Sequence, residues 1–327
     1  MNPSMKIGIV GQGKMGRIHA AAWRELNAGL VFFDVVDSAE IARTYDGQSA
    51  DSLDDLMDAV DAVDLCVPTS EHYHLAIEAL KRGLPVLCEK PLARTMEEAV
   101  EMAQVAARNK VLLMPAHVTR FFAQYQVAKA QIDDGLLGQV AVMRFHREGP
   151  APASPWFQDD SVSGGVILDQ MIHDIDAAIW FAGRVRSVHA TENRMISDTG
   201  IRRAAHVTMT HTCGAITHCR GYWGGANTPF AYGFDLAGLN ARISYESDRE
   251  TGYKPYVQPS DNPMGYFDNP YVAELSAFAD EVAGKGHRAV SAADGLEAIA
   301  VALAALRSAA EGKPVLIDYQ ELGESLP

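Results

Sequence analysis

A short apolar run followed by three spaced glycines opens the chain and restricts the folds available to it. Residues 6–10 have the composition of a buried strand, and Gly11–Gly16 form a GxGxxG pattern ahead of a helical pattern over 17–26. Glycines at this spacing allow a tight turn, close approach of a pyrophosphate to bare backbone, and close packing of helix on strand. The motif therefore predicts a βαβ unit that binds a dinucleotide. Its predicted contacts are Gly11, Gly13, Lys14, Met15 and Gly16.

Short apolar runs alternate with helical patterns up to about residue 119. The predicted strands are Lys6–Val10, Leu30–Val36, Val63–Val67, Pro85–Leu87 and Val111–Met114. Continuous apolar strands are typical of a sheet covered on both faces, and repeated βαβ units imply parallel pairing. We therefore predict an α/β fold whose first domain, 1–119, is a Rossmann domain with a doubly wound parallel sheet.

The pattern changes after residue 120 to strands of alternating polarity. In 205–212, for example, Val207 and Met209 can share one face of a strand. One helix is predicted from near Gly165 to Trp180, and two more near the end of the chain, while 247–269 has too many breakers for a regular element and is expected to be a lid or interface arm. The second domain, 120–327, is predicted to be α+β with a mainly antiparallel sheet.

Charge and composition exclude several classes of function. The chain of 327 residues carries 28 basic and 42 acidic side chains, a formal charge of −14, which repels nucleic acids and anionic membranes. Four cysteines are too few for a disulfide framework, and the first apolar run is far shorter than the ~20 residues of a membrane-spanning helix. We expect a cytoplasmic protein with no nucleic-acid or membrane partner.

Asp37 follows the second predicted strand, about 20 residues after the glycine motif, where Rossmann domains place a carboxylate on the adenosine ribose. Such a carboxylate would repel a 2′-phosphate, so it favours NAD over NADP. A solvated Asp37 is the alternative, and neighbouring Arg43 leaves room for NADP.

Two further groups have the chemistry of an active site. Lys90 follows a predicted strand and precedes Pro91, which restricts its backbone, so that its ammonium could stabilise negative charge on a substrate oxygen. Asp169, four residues before His173, could orient the imidazole as a base. A solvated lysine and a surface ion pair are the alternatives. The histidines on predicted strands lack metal-ligand spacing, so no metal site is expected.

The ordered combination of motifs resembles the Gfo/Idh/MocA oxidoreductases over essentially the whole chain. The resemblance is carried by the glycine loop, Val67-Pro68-Thr69 with His72, Glu89-Lys90-Pro91, and Gly164-Gly165 leading to Asp169 and His173. It implies that Lys90, Asp169 and His173 form the catalytic group and that the Lys90–Pro91 bond can be cis. The further cofactor contacts that it implies are Val67, Pro68, Thr69, His72, Glu89 and Lys90.

The same resemblance implies a substrate region and an assembly. Arg120 matches a segment lining the nicotinamide and substrate, and Trp156 lies in a loop that approaches the substrate, whereas His117 stands where many members have a smaller or amide residue. The second domain's open-faced sheet implies a homodimer or homotetramer.

These expectations lead to one predicted reaction and two alternatives. The prediction is NAD-dependent hydride transfer between nicotinamide and a secondary alcohol of a sugar or an inositol-like cyclitol, with His173 as base and Lys90 polarising the oxygen, or with these roles exchanged. The alternatives are a glycosidase that uses NAD for transient oxidation and a non-catalytic NAD-binding sensor.

Overall fold

The chain divides into two compact units. The computed structural model describes residues 5–197, 200–247, 269–286 and 289–319. Of these, 5–121, 269–286 and 289–296 belong to the first unit and the remainder to the second. The sequence assigned everything after residue 119 to one second domain, whereas the helix that begins at Pro270 lies in the first unit.

The first unit contains a six-stranded parallel sheet with the strand order β3-β2-β1-β4-β5-β6. This is the order of a doubly wound Rossmann sheet, as predicted. Its strands are β1 (Lys6–Val10), β2 (Gly29–Phe33), β3 (Gln48–Ser49), β4 (Ala62–Leu65), β5 (Val86–Glu89) and β6 (Leu113–Ala116).

The second strand ends three residues earlier than predicted. Val10 pairs with Phe33 in the last register position of β1 and β2, and the chain then leaves the sheet. Val35 and Val36, which had suggested a longer strand, are 95% and 61% exposed. These two side chains therefore do not pack in the core. Asp34 is the first residue after the strand.

Helices cover this sheet, and one of them begins at a strong local start signal. Thr95 and Glu98 form a reciprocal capping box at the start of α5 (Met96–Asn109), which satisfies two otherwise unpaired backbone N–H groups. The helices are α1 (Lys14–Glu25), α2 (Ala39–Thr44), α3 (Leu53–Ala59), α4 (Thr69–Lys81), α5 (Met96–Asn109) and, from the distant part of the chain, α10 (Pro270–Val282). Trp23 of α1 and Phe278 of α10 meet edge to face with ring centroids 6.3 Å apart, within a shared apolar core.

The second unit contains a seven-stranded mixed sheet in the order β12-β11-β7-β10-β9-β8-β13. Only β7 and β10 pair in parallel, so the sheet is mainly antiparallel, as predicted. Its strands are β7 (Val140–Pro150), β8 (Val185–Ser197), β9 (Gly200–His211), β10 (Ile216–Gly224), β11 (Ala231–Gly238), β12 (Arg242–Glu246) and β13 (Val315–Leu316).

The helix predicted from Gly165 to Trp180 is wrong as one continuous element. The Val166 carbonyl accepts hydrogen bonds from the N–H groups of both Gln170 and Met171, so the hydrogen-bond ladder slips by one residue and the helix restarts. The helices of this unit are α6 (Ala123–Asp133), α7 (Asp160–Ser163), α8 (Gly165–Asp169), α9 (Ile172–Ala182) and the greater part of α11 (Ala292–Glu311). Asp169 therefore ends one helix and His173 lies at the start of the next.

Within the described parts of the chain, no helix combines the length and apolarity that crossing a membrane requires. All four cysteines are unpaired thiols. Most of the predicted lid or arm, 247–269, lies outside the described residues.

Candidate active site

The glycine loop joins β1 to α1 and leaves free space at the helix N-terminus. Gly11 has φ +94°, and a Cβ there would lie 2.7 Å from the Cys66 carbonyl oxygen. A Cβ at Gly16 would overlap the Gly11 carbonyl oxygen, whereas one at Gly13 would meet no protein atom within 4 Å. The protein's own packing therefore requires glycine at 11 and 16. The open space at Gly13, beside the unpaired N–H groups of α1, fits a phosphate.

Asp34 contacts this loop directly, and the sequence analysis missed it. Its Oδ2 accepts a 2.7 Å hydrogen bond from the Gln12 backbone N–H. Asp37 is exposed, and its Oδ1 accepts from the N–H of Ala39 at the start of α2, 2.9 Å away. Asp34 was missed because the predicted strand extended to Val36, which placed this carboxylate inside the sheet rather than at the end of a strand.

Glu89 and Lys90 lie at the carboxyl end of β5. Glu89 is 6% exposed, and its Oε2 accepts a 2.9 Å hydrogen bond from the Lys90 backbone N–H. Lys90 is half-buried, and the bond between Lys90 and Pro91 is cis, as the family pattern implied. A carboxylate before it and a proline after it hold the backbone of Lys90.

His72 joins the loops that follow β4 and β5. Its Nδ1 lies 2.9 Å from the Pro91 carbonyl oxygen and its Nε2 3.0 Å from that of Val67. Burial lowers the pKa of His72, so the ring is neutral at pH 7 and donates to one of the two carbonyls at a time. Both nitrogens face backbone, and His72 thus links Val67, which precedes Pro68 and Thr69 at the start of α4, to the turn that carries Lys90.

Beneath the glycine loop lies a buried polar cluster of His19, Trp23, Asp64 and Cys66. His19 Nδ1 is 3.0 Å from Asp64 Oδ2, which also accepts a 2.8 Å hydrogen bond from Trp23 Nε1. The Cys66 thiol donates to Asp64 Oδ1 at 3.4 Å. His19, Asp64 and Cys66 have the spacing of metal ligands, yet burial raises the pKa of the Cys66 thiol, and His19 Nδ1 and the Cys66 thiol both already contact the Asp64 carboxylate. The prediction of no metal therefore stays a prediction.

Arg120 and Trp156 each have partners in the structure. Arg120 is 6% exposed and pairs with Asp294 of α11 at 3.1 Å, within the first unit. In the second unit, the half-buried Trp156 stacks on Phe157 with ring centroids 3.6 Å apart. Their predicted places near the substrate stay predictions.

Asp169 and His173 are both half-buried in the second unit, on either side of the break between α8 and α9. The next residue, Asp174, is fully buried and pairs with Arg147 at 2.9 Å. Gln170 donates a 2.7 Å hydrogen bond to the Arg147 carbonyl oxygen, which holds the break against β7. Lys90 and His173 belong to different units, so their predicted convergence stays a prediction.

Comparison with known proteins identifies the family. Residues 5–117 match the model of an oxidoreductase family described as having an NAD-binding Rossmann fold, and residues 125–243 match the GFO/IDH/MocA C-terminal domain. The chain belongs to the GFO/IDH/MocA oxidoreductases. As a member of this family it is an NAD-binding enzyme, and the open space at Gly13 fits that cofactor.

Individual members of the GFO/IDH/MocA family match along almost the whole chain. The myo-inositol 2-dehydrogenase of Thermotoga maritima is 26% identical, over 96% of this chain and 99% of its own length. The inositol 2-dehydrogenase of Rhizobium meliloti is 28% identical, with the same coverage of 96% and 99%. The fold is also that of a scyllo-inositol dehydrogenase from Lactobacillus casei, solved with bound NAD(H) and scyllo-inositol, with TM-score 0.81 and 24% identity over 96% of this chain and 99% of that one.

Proposed function

We propose that this enzyme oxidises a secondary alcohol of a cyclitol or sugar with NAD, or reduces the corresponding ketone, and that its substrates are inositol-like. The observation that carries the proposal is the carboxyl edge of the first sheet. The glycine loop after β1, Asp34 after β2 and Lys90 after β5 all lie there, at the edge where doubly wound sheets bind their ligands. The inositol dehydrogenases among its relatives support the substrate class.

We propose that residues of the first unit bind NAD. The glycine loop and the N-terminus of α1 would hold the phosphates, and Asp34 the adenosine ribose, with Asp37 as the competing candidate. When bound, NAD supplies a hydride acceptor for the carbon that carries the reacting hydroxyl.

The remaining chemistry is transfer of the hydroxyl proton and stabilisation of charge on oxygen. In the proposal, Lys90 donates a hydrogen bond to the reacting oxygen and His173 accepts the hydroxyl proton, while Asp169 orients the imidazole; Lys90 and His173 can exchange these roles. Arg120 and Trp156 are proposed to contact the substrate.

A panel of substrates and cofactors tests this function. Purified enzyme is mixed with NAD or NADP and with myo-inositol, scyllo-inositol, glucose, xylose or an anhydro-sugar, and absorbance at the reduced-nicotinamide band is followed. We expect reduction of NAD with at least one cyclitol or sugar. Release of an aglycone from a glycoside without net NADH would instead identify the glycosidase, and NAD binding with no turnover on any substrate would identify the sensor.

Two pairs of variants assign the residues. Lys90→Ala should lower kcat by roughly 10²–10⁴-fold, whereas the exposed Lys81→Ala at the end of α4 should not change it. Asp34→Ala should weaken NAD binding about tenfold or more, since a charged hydrogen bond contributes about 1.5–3 kcal/mol, and Asp37→Ala should have the smaller effect. A larger loss of NAD affinity in Asp37→Ala than in Asp34→Ala would instead assign the ribose contact to Asp37.

We also propose a cytoplasmic homodimer or homotetramer. Helices α8 and α9 pack on one face of the second sheet. The other face carries the exposed neighbours Val142 of β7 and Ile216 of β10, which are paired in the sheet register. These two adjoining apolar side chains on an open sheet face support association through that face.

A further inference from the structure

A chain of buried charged groups runs from α1 across the first sheet to the turn that carries Lys90. His19 and Asp64 have no solvent exposure, and Glu89 has 6%. The two nitrogens of the His19 ring face different carboxylates: Nδ1 lies 3.0 Å from Asp64 Oδ2, and Nε2 lies 3.4 Å from Glu89 Oε1. The second distance is long for a hydrogen bond, so opposite charge is what principally joins His19 to Glu89.

The surroundings favour a charged imidazolium at His19. Burial alone would lower the pKa of His19, but the Asp64 carboxylate and the contact with Cys66 together outweigh it and raise that pKa well above its usual value. Burial would raise the pKa of Glu89, but His19 and Lys90 hold it below the usual range. Both shifts favour the charged form of the group, an imidazolium at His19 and a carboxylate at Glu89.

The other titratable groups around His19 do not supply a competing charge. The Cys66 thiol, after β4, stays protonated because burial raises its pKa. From α10, Tyr271 approaches with its ring centroid 6.1 Å from that of His19, and burial raises the pKa of the Glu274 carboxyl well above its usual value. His19 is therefore the cation between two carboxylates, one on β4 and one at the end of β5.

Glu89 connects His19 to Lys90, because its two carboxylate oxygens contact different residues. While Oε1 faces His19, Oε2 accepts the Lys90 backbone N–H at 2.9 Å. The orientation of the Glu89 carboxylate thus depends on His19, and the turn from which the Lys90 side chain extends depends on Glu89.

We propose that His19 is a positioning residue for Lys90, acting through the Glu89 carboxylate. The inference rests on the proposed function, because it concerns the lysine assigned there to the reacting oxygen. His19 lies in α1, a helix for which the sequence predicted only a role in phosphate binding. The proposal adds an effect on catalysis.

Two isosteric variants, H19N and H19Q, separate the contacts of His19. In H19N the amide nitrogen lies near the position of Nδ1 and keeps a donor for Asp64. In H19Q the amide nitrogen lies near the position of Nε2 and keeps a donor for Glu89. Trp23→Phe is the matched control, because it removes the other buried nitrogen donor to Asp64 without touching Glu89. All three variants should lower the melting temperature.

The kinetic expectation differs among these variants. H19N should lower kcat about 10–100-fold, as expected when a reacting group is displaced by about 1 Å, with KM for NAD nearly unchanged. H19Q should recover most of that loss, and W23F should keep the wild-type kcat. If kcat falls in parallel with melting temperature across all three variants, His19 is only structural and the proposal fails.

A second readout does not require turnover. Lysines are reductively methylated with ¹³C-formaldehyde, and the dimethyl resonance of Lys90 is assigned by its loss in Lys90→Arg. Its chemical shift should change in H19N and stay in place in W23F; an unchanged shift in H19N would overturn the link. A wild-type enzyme that oxidises no polyol would refute the proposed function while leaving this measurement valid. Should H19N not fold, Glu89→Gln tests the same link and should reproduce both effects.

Discussion

Gly13 and Gly16 lie three residues apart, yet an added methyl group would meet different surroundings at each. Gly13→Ala should fold normally, with a melting temperature within about 1 °C of the wild type, because no protein atom lies within 4 Å of the new Cβ. It should weaken NAD binding about tenfold, or ~1.4 kcal/mol, by filling the space proposed for a phosphate. Calorimetric titration with NAD measures the affinity.

Gly16→Ala is the counterpart, since its Cβ would overlap the Gly11 carbonyl oxygen. This variant should lose both NAD affinity and melting temperature. Equal thermal stability of the two alanine variants would contradict the distinction between a glycine kept for a ligand and a glycine kept for packing.

Glu274 is a buried carboxyl that makes stability depend on pH. Neither of its oxygens has a hydrogen-bond partner among the described residues, and burial raises its pKa well above the usual value. Below pH 4.5 both the folded and unfolded states hold this proton; above it the unfolded chain ionises first, so Glu274 disfavours folding increasingly as the pH rises toward its folded pKa.

Glu274→Gln removes that ionisation, so it should stabilise the protein at pH 8 by about 1 kcal/mol or more and have little effect at pH 4. Urea unfolding at the two pH values measures the difference. A stabilisation that is the same at both would show that the carboxyl does not titrate as described.

A buried ion pair directly after the break between α8 and α9 joins the start of α9 to β7. Asp174 and Arg147 are almost fully buried and 2.9 Å apart, and Gln170 binds the Arg147 carbonyl oxygen. Asp174→Asn should lower the free energy of unfolding by about 3–5 kcal/mol, because it leaves a buried guanidinium unpaired.

The exposed Arg307–Glu311 pair of α11 provides a control for this prediction. Arg307→Ala should change the free energy of unfolding by less than about 0.5 kcal/mol, since solvent screens an exposed pair. Urea unfolding followed by circular dichroism compares the two variants. A similarly small loss in Asp174→Asn would mean that the buried pair does not anchor the helix.

The proposed assembly predicts a change in mass for the whole molecule. Ile216 is 46% exposed and lies beside Val142 on the open face of the second sheet. Ile216→Glu should shift the protein toward monomer, because burying a carboxylate in an apolar contact is unfavourable. Light scattering coupled to size-exclusion chromatography measures the mass. A wild type that is already monomeric would refute the assembly itself.

The sequence by itself determined those features that depend on short stretches of chain. Glycine spacing located the turn after β1, and β1 begins and ends where its apolar pattern does. Glu89, Lys90 and Pro91 were found together because they are adjacent. Local backbone preferences and strand or helix periodicity act over a few residues, and a single sequence displays them directly.

Only the tertiary structure decided which distant residues meet. It ended β2 at Phe33 and so exposed Asp34, divided the helix around Gln170, and placed α10 against α1 in the first unit. It also brought His19 to Asp64 and Glu89, which come from α1, β4 and β5. Such contacts arise from packing between elements far apart in the chain, and no local pattern along the sequence records them.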